Sequence, residues 1–132
     1  MAEQKTILCI EDEAEILASR KRLLEKSGYR VVAAGSGAEG LELFHTQRID
    51  GVVLDCHLED LTAGEVVTTM RRAQPEIPIV VLVGVQDFSF SLSYSMSNKV
   101  QAFVPKLDGS DALLETLHSL YAAPGRRRSA AA

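Results

Sequence analysis

Residues 5–13 read KTILCIEDE, and this stretch decides the fold. Its first six positions are mostly apolar and β-branched, do not alternate with polar residues, and stop abruptly at three carboxylates. A short continuous apolar run of this kind predicts a strand covered on both faces of a sheet, and the acids predict a loop at its end. Residues 14–26 then carry Ile16, Leu17, Leu23 and Leu24 at helical spacing among charged side chains, with Gly28 as the stop. The first unit is therefore strand, acidic loop, helix.

The pattern repeats outward from there. Residues 29–34 (YRVVAA) predict a second strand, and Ser36 followed by Glu39 predicts a capping box opening a helix with Ala38, Leu41 and Phe44 on one face. Residues 50–55 (DGVVLD) predict a third strand, again ending on a carboxylate. A loop with Thr62 and Gly64 leads into a short helix carrying Val66, Val67 and Met70, after which Pro75 and Pro78 frame the most apolar strand, residues 79–83. Residues 88–97 (FSFSLSYSMS) alternate apolar side chains with serine, which is the period of a strand and not of a helix. Residues 100–105 (VQAFVP) predict the last strand and residues 110–121 the last helix. Alternating strands and helices with near-continuous apolar strands imply a doubly wound α/β domain around a parallel sheet.

Composition narrows the function. At 132 residues the chain is sized for one domain, expected over residues 1–123, with residues 124–132 and their three arginines as a flexible basic tail. A formal net charge of −4 gives no general attraction to nucleic acid or anionic membrane, and no apolar run approaches a membrane span. Cys9 and Cys56 have neither CxxC spacing nor a histidine partner at metal spacing, so they read as reduced core thiols of a cytoplasmic protein.

Doubly wound folds bind ligands at the carboxyl ends of their strands, which singles out Glu11 and Asp12, Asp55, Val83 and Gly84, and Lys106. The acidic triplet alone is better explained by a helix N-terminus favouring negative charge. Joined to Asp55 and Lys106 it reads as a site. Carboxylates converging from two strands repel one another unless a hard cation sits among them, and oxygen ligation with room for water and phosphate suits Mg2+. A carboxylate nucleophile beside such a cation, with a lysine opposite, has the parts for phosphoryl transfer to give an acyl phosphate.

These residues resemble the receiver domain of two-component response regulators. The resemblance covers about residues 5–121 and rests on Glu11-Asp12 after the first strand, Asp55 within VVLDCHLEDLTAG, and Phe103-Val104-Pro105-Lys106 at the last strand. It implies a flavodoxin-like sheet of order 2-1-3-4-5, with Asp55 as phosphoacceptor and Lys106 contacting the phosphoryl group. By the same resemblance Asp12 binds Mg2+ directly, Asp55 shares it, Glu11 binds largely through water, and His57 through its backbone carbonyl. The implied partners are a histidine kinase or histidine phosphotransfer protein and a downstream protein target.

Two departures stand out against that family. Its fourth strand ends in a Ser or Thr that relays the arrival of phosphate, whereas Val83, Gly84 and Val85 carry no hydroxyl, and Phe103 is an aromatic switch residue without one. The serine alternation at 88–97 occupies the place of the fourth crossover helix, so an extended segment is expected there. It would run as a hairpin beside residues 100–105 or pair with a second copy, making a homodimer through 88–105. The expected function is a stand-alone receiver in a phosphorelay, signalling by protein contact; it is no enzyme, though it assists its own phosphorylation and dephosphorylation. A phosphorylation-independent pseudo-receiver is the alternative. A haloacid-dehalogenase-type hydrolase is disfavoured because Asp12-Glu13-Ala14-Glu15 lacks its DxD motif.

Overall fold

A computed structural model of the chain describes residues 4–84, 99–106 and 109–122. Its elements in chain order are β1 (Thr6–Ile10), α1 (Ala14–Lys26), β2 (Arg30–Ala34), α2 (Gly37–Thr46), β3 (Gly51–Asp55), α3 (Ala63–Ala73), β4 (Ile79–Val83), β5 (Ala102–Pro105) and α4 (Gly109–Ala122). The five strands form one parallel sheet, as the apolar strand pattern predicts, in the order β2-β1-β3-β4-β5 that the resemblance implies. The predicted extended segment 88–97 and the basic tail lie outside the described residues.

Strand period 2 divides the core into two layers. Leu8, Ile10, Val52, Leu54, Ile79, Val81 and Val83 face α2 and α3, where Phe44, Val66 and Met70 pack on them. Ile7, Cys9, Val53, Val80, Leu82 and Val104 face the opposite layer, built on Leu24 of α1 and on Leu113 and Leu117 of α4. Every residue of β3 and β4 is buried, which is why those two strands read as unbroken apolar runs. The chain order reverses between β1 and β3, so the crevice of the fold opens beyond their carboxyl ends. Register carries the consequence along the sheet: Ile10 pairs with Leu54, Asp55 with Leu82, and Val83 with Pro105. The residues just past these pairs share one edge.

Helix ends follow local chemistry, with three adjustments to the expectations. Gly28, at φ 101°, ends α1 in a left-handed turn in which its N–H donates to Glu25 O and that of Tyr29 to Leu24 O. At α2 the Ser36 hydroxyl accepts from Glu39 N–H as predicted, but the Glu39 carboxylate takes the N–H of Gly35 instead, so only half of the capping box forms. The full box belongs to α3, where Thr62 and Glu65 exchange both bonds and Gly64 lies inside the helix and not in the loop. The buried stripe of α2 consists of Gly37, Gly40 and Phe44, with Ala38 exposed. A Cβ at Gly40 would collide with the Ile10 side chain, so glycine lets α2 approach β1 closely.

Tyr121 pins α4 to the sheet. Its hydroxyl donates to Asp50 O at 2.9 Å, and burial, with the Asp50 charge adding, pushes its ionisation well above the ordinary tyrosine range. Tyr121→Phe is expected to lower the folding free energy by about 1 kcal/mol, the worth of one neutral hydrogen bond plus the partner left behind. Urea unfolding would show this as a lower midpoint at unchanged slope.

Candidate functional site

The three predicted carboxylates do converge. One oxygen from each of Glu11, Asp12 and Asp55 lies within 4.8 Å of the others. Glu11 and Asp55 are only 1% and 2% exposed and are the buried charged residues among those described, while Asp12 is half-buried. Their placement follows from the strands: β1 ends at Ile10 and delivers Glu11 and Asp12 to the edge, and β3 delivers its last residue, Asp55, beside them.

Each carboxylate is held. Asp55 Oδ1 accepts from Lys106 Nζ at 2.8 Å and from the backbone N–H of His57 at 3.1 Å. Asp12 Oδ2 accepts from the N–H of Glu59, in the loop after β3. Glu11 Oε2 accepts from Glu13 N–H, and Glu11 Oε1 from Arg20 Nη1 at 3.1 Å. The His57 side chain is exposed, so what this residue brings to the pocket is backbone.

The charges set one another's ionisation. Burial holds the Glu11 carboxyl above its usual range, and the neighbouring Asp55 carboxyl adds to the rise while Arg20 opposes it. Burial pulls the Lys106 ammonium down, but its hydrogen bond to Asp55 and the Asp55 and Glu11 charges outweigh this and leave it raised. Cys9, beneath Arg20, is pushed up to about 11 by burial and is a neutral thiol at physiological pH. Among the described residues three carboxylates stand against two cations, which leaves the cluster acidic. An all-oxygen donor set of this size and sign fits a hard divalent cation of the Mg2+ kind and offers nothing to a soft metal.

Sequence reading missed Arg20. The signal was present, because Leu17, Arg20 and Leu24 stand at i, i+3 and i+7 and so share the inward face of α1. Conversely Ile16, counted among the apolar positions of that helix, is 38% exposed. Arg20 and Lys106 both line a cleft of about 490 Å3 between α1 and the β4–β5 edge, floored by Leu23, Leu82 and Leu113.

Of the positions expected to act as switches, Val83 is buried in the α2–α3 layer and Phe103 packs at the same layer, paired in register with Val81. Gly84 directly follows β4. Neither Val83 nor Gly84 presents a hydroxyl toward the carboxylates, so the departure noted from sequence stands.

Comparison with known proteins gives one consistent picture. Residues 7–118 match the family model of the response regulator receiver domain. The transcriptional regulatory protein PrrA of Mycobacterium tuberculosis is 37% identical over 76 residues, covering 58% of this chain and 33% of PrrA. The cell cycle response regulator CtrA of Brucella ovis is 26% identical over 117 residues, covering 86% of this chain and 49% of CtrA. The chain thus spans a third to a half of the length of these relatives. Among solved structures, a response regulator receiver protein from Sinorhizobium medicae superposes with a TM-score of 0.77 at 30% identity, covering 92% of this chain and 97% of that one. The response regulator TrrA of Thermotoga maritima, solved in complex with Mg2+ and BeF, gives a TM-score of 0.77 at 28% identity over 89% of this chain and 99% of TrrA.

Proposed function

The chain belongs to the response regulator receiver domain family, and from that membership we propose that Asp55 is its phosphoacceptor in two-component signalling. Receiver domains of this family accept a phosphoryl group on an aspartate, and they bind Mg2+ at an acidic pocket. The observation that supports the reading here is the 2.8 Å contact of Lys106 Nζ with Asp55 Oδ1 inside the Glu11, Asp12 and Asp55 cluster. An Asp55 carboxylate oxygen attacks the phosphorus of the donor. The bond from phosphorus to the donor's imidazole nitrogen breaks, its electron pair leaves with the imidazole, and an acyl phosphate is left on Asp55. Mg2+ held among Glu11, Asp12 and Asp55 would supply positive charge for the developing negative charge of the phosphoryl group. Lys106 supplies a second positive charge from the β5 side, and the His57 N–H holds Asp55 in place.

Asp12 is assigned as the direct metal ligand, Asp55 as sharing the metal, Glu11 as a ligand largely through water, and the His57 carbonyl as the backbone ligand. The receiver unit is assigned to residues 1–123. The donor is a histidine kinase or histidine phosphotransfer protein, and the output is contact with a downstream protein in the cytoplasm. A second reading, an interaction module whose switching does not depend on phosphate, is favoured by one observation: the buried, hydroxyl-free Val83 at the end of β4.

Incubation with acetyl phosphate separates the two. The protein is expected to gain about 80 Da, one phosphoryl group, in millimolar Mg2+ and nothing in chelator, read by intact mass. No gain under any Mg2+ condition would leave the phosphate-independent module as the function.

A further inference from the structure

We infer that Arg20 is a built-in counter-ion for Glu11 that occupies part of the cation's electrostatic role in the acidic pocket and thereby sets how weakly the pocket binds Mg2+. The inference rests on the metal reading above and concerns a residue outside the ligand set. Arg20 sits on the inward stripe of α1, between Leu17 and Leu24, where an apolar side chain would join the buried layer of Ile7, Cys9 and Leu24. Its side chain is nevertheless only 13% exposed, and it reaches up to Glu11 Oε1 at 3.1 Å, with the Glu11 side chain 2% exposed. A guanidinium removed from water this far is tolerated only when a carboxylate meets it, and the same holds for the carboxylate.

The Lys106 ammonium makes its direct contact with Asp55 Oδ1 and feels Glu11 only as a nearby charge, whereas Arg20 hydrogen-bonds Glu11 itself. Each buried carboxylate therefore has its own cation: Lys106 from β5 serves Asp55, and Arg20 from α1 serves Glu11. The two act differently. Lys106 stands where the transferred phosphoryl group would need positive charge, whereas Arg20 approaches from beneath, from the α1 side of the sheet, and engages an oxygen of a proposed ligand. A positive charge fixed there repels an incoming divalent ion and keeps Glu11 drawn toward α1. It also relieves the carboxylate crowding that would otherwise make the metal-free protein less stable. Arg20 is thus a positioning residue that trades metal affinity for stability of the metal-free state.

Titration of Mg2+ into wild type, Arg20→Leu, Arg20→Gln and Arg20→Lys tests this, followed by isothermal calorimetry, with thermal melts in chelator alongside. Arg20→Gln keeps a polar group if Arg20→Leu fails to fold. The neutral variants are expected to melt lower in chelator yet bind Mg2+ about tenfold more tightly, the order expected for one unit charge removed from beside a divalent ion in a partly solvated pocket. Arg20→Lys should restore affinity toward that of wild type, which a purely structural role would not require. Equal or weaker Mg2+ binding by Arg20→Leu and Arg20→Gln overturns the inference while leaving the metal site intact. Absence of Mg2+ binding by wild type and variants alike overturns the metal reading and the inference with it.

Discussion

Replacing Asp55 by asparagine is expected to abolish the gain of one phosphoryl group altogether, and replacing Lys106 by methionine to slow it by about 10²–10³-fold, the usual effect of removing one preorganised charge from a developing anion. The two substitutions differ because the residues do different chemistry. Asparagine preserves the shape at the end of β3 and can still accept from the His57 N–H, but its amide oxygen is too weak a nucleophile to displace a phosphoryl donor. Methionine keeps most of the Lys106 stem while removing the charge that meets Asp55 at 2.8 Å, so the nucleophile survives without its electrostatic support. Neither change should unfold the domain. Asp55→Asn removes one of three crowded carboxylates, and Lys106, 30% exposed, can be solvated when its partner is lost. An intact-mass time course with acetyl phosphate reads both. Retention of label in Asp55→Asn would move the acceptor to another residue, and an unchanged rate in Lys106→Met would remove the lysine from the chemistry.

What the sequence made legible, and what it hid, follows from the range of the forces involved. A continuous apolar run that ends in acid fixes both the strand and the edge its acids occupy, because the sheet leaves them nowhere else to go. Glu11, Asp12, Asp55 and Lys106 were therefore found without coordinates, and the structure brings all four to one edge. The helices were read by spacing, and spacing locates an inward face without saying how near the next element comes. Hence Gly37 and Gly40 join Phe44 in the buried stripe of α2 in place of Ala38, and at Gly40 close approach to Ile10 matters more than apolar bulk. Capping is decided by which N–H a carboxylate can reach. Glu39 reaches Gly35 and Glu65 reaches Thr62, a difference that a matching Ser/Thr-to-Glu spacing conceals.

Arg20 failed to register for a further reason. Charged residues on a helix are ordinarily assigned to solvent, and only the pairing with Glu11, nine positions away and on another element, makes an inward arginine affordable. The missing hydroxyl at Val83 was readable at once, since it depends on identity alone. Its consequence is physical. With Val83 packed among apolar side chains of the α2–α3 layer, its side chain offers an incoming phosphoryl group no hydrogen bond, so a change passed on from the pocket needs contacts other than a hydroxyl at this position. One such contact is already present: Asp12 holds the N–H of Glu59, and the adjacent Asp60 carboxylate accepts from the N–H groups of Gly37 and Ala38 at the start of α2.

Removal of divalent metal is expected to make folding stability fall as pH rises through the Glu11 transition, and Mg2+ to cancel that fall. The fold raises the Glu11 pKa above its ordinary value of 4.5, through burial first and the Asp55 carboxyl second. A group raised in the folded state binds its proton more tightly there than when unfolded, so its contribution to stability is full below the unfolded value and is lost as pH climbs through the folded one. Mg2+ is expected to reverse the balance, because an ion that binds the ionised carboxylates only in the folded chain stabilises that state. The difference in melting temperature between Mg2+ and chelator should therefore be small near pH 4 and open as pH rises toward neutrality. At a Mg2+ concentration of about ten times its dissociation constant the stabilisation is about 1.4 kcal/mol, or roughly 5 °C for a domain of this size. Asp60, whose carboxyl is held low by the N–H groups of α2, contributes stability that disappears on acidification, but equally in both metal states, so the difference isolates the pocket. Asp12→Ala removes the proposed direct ligand and should flatten the difference at every pH. A Mg2+ response that is independent of pH, or one that survives in Asp12→Ala, would place the ion somewhere other than among Glu11, Asp12 and Asp55.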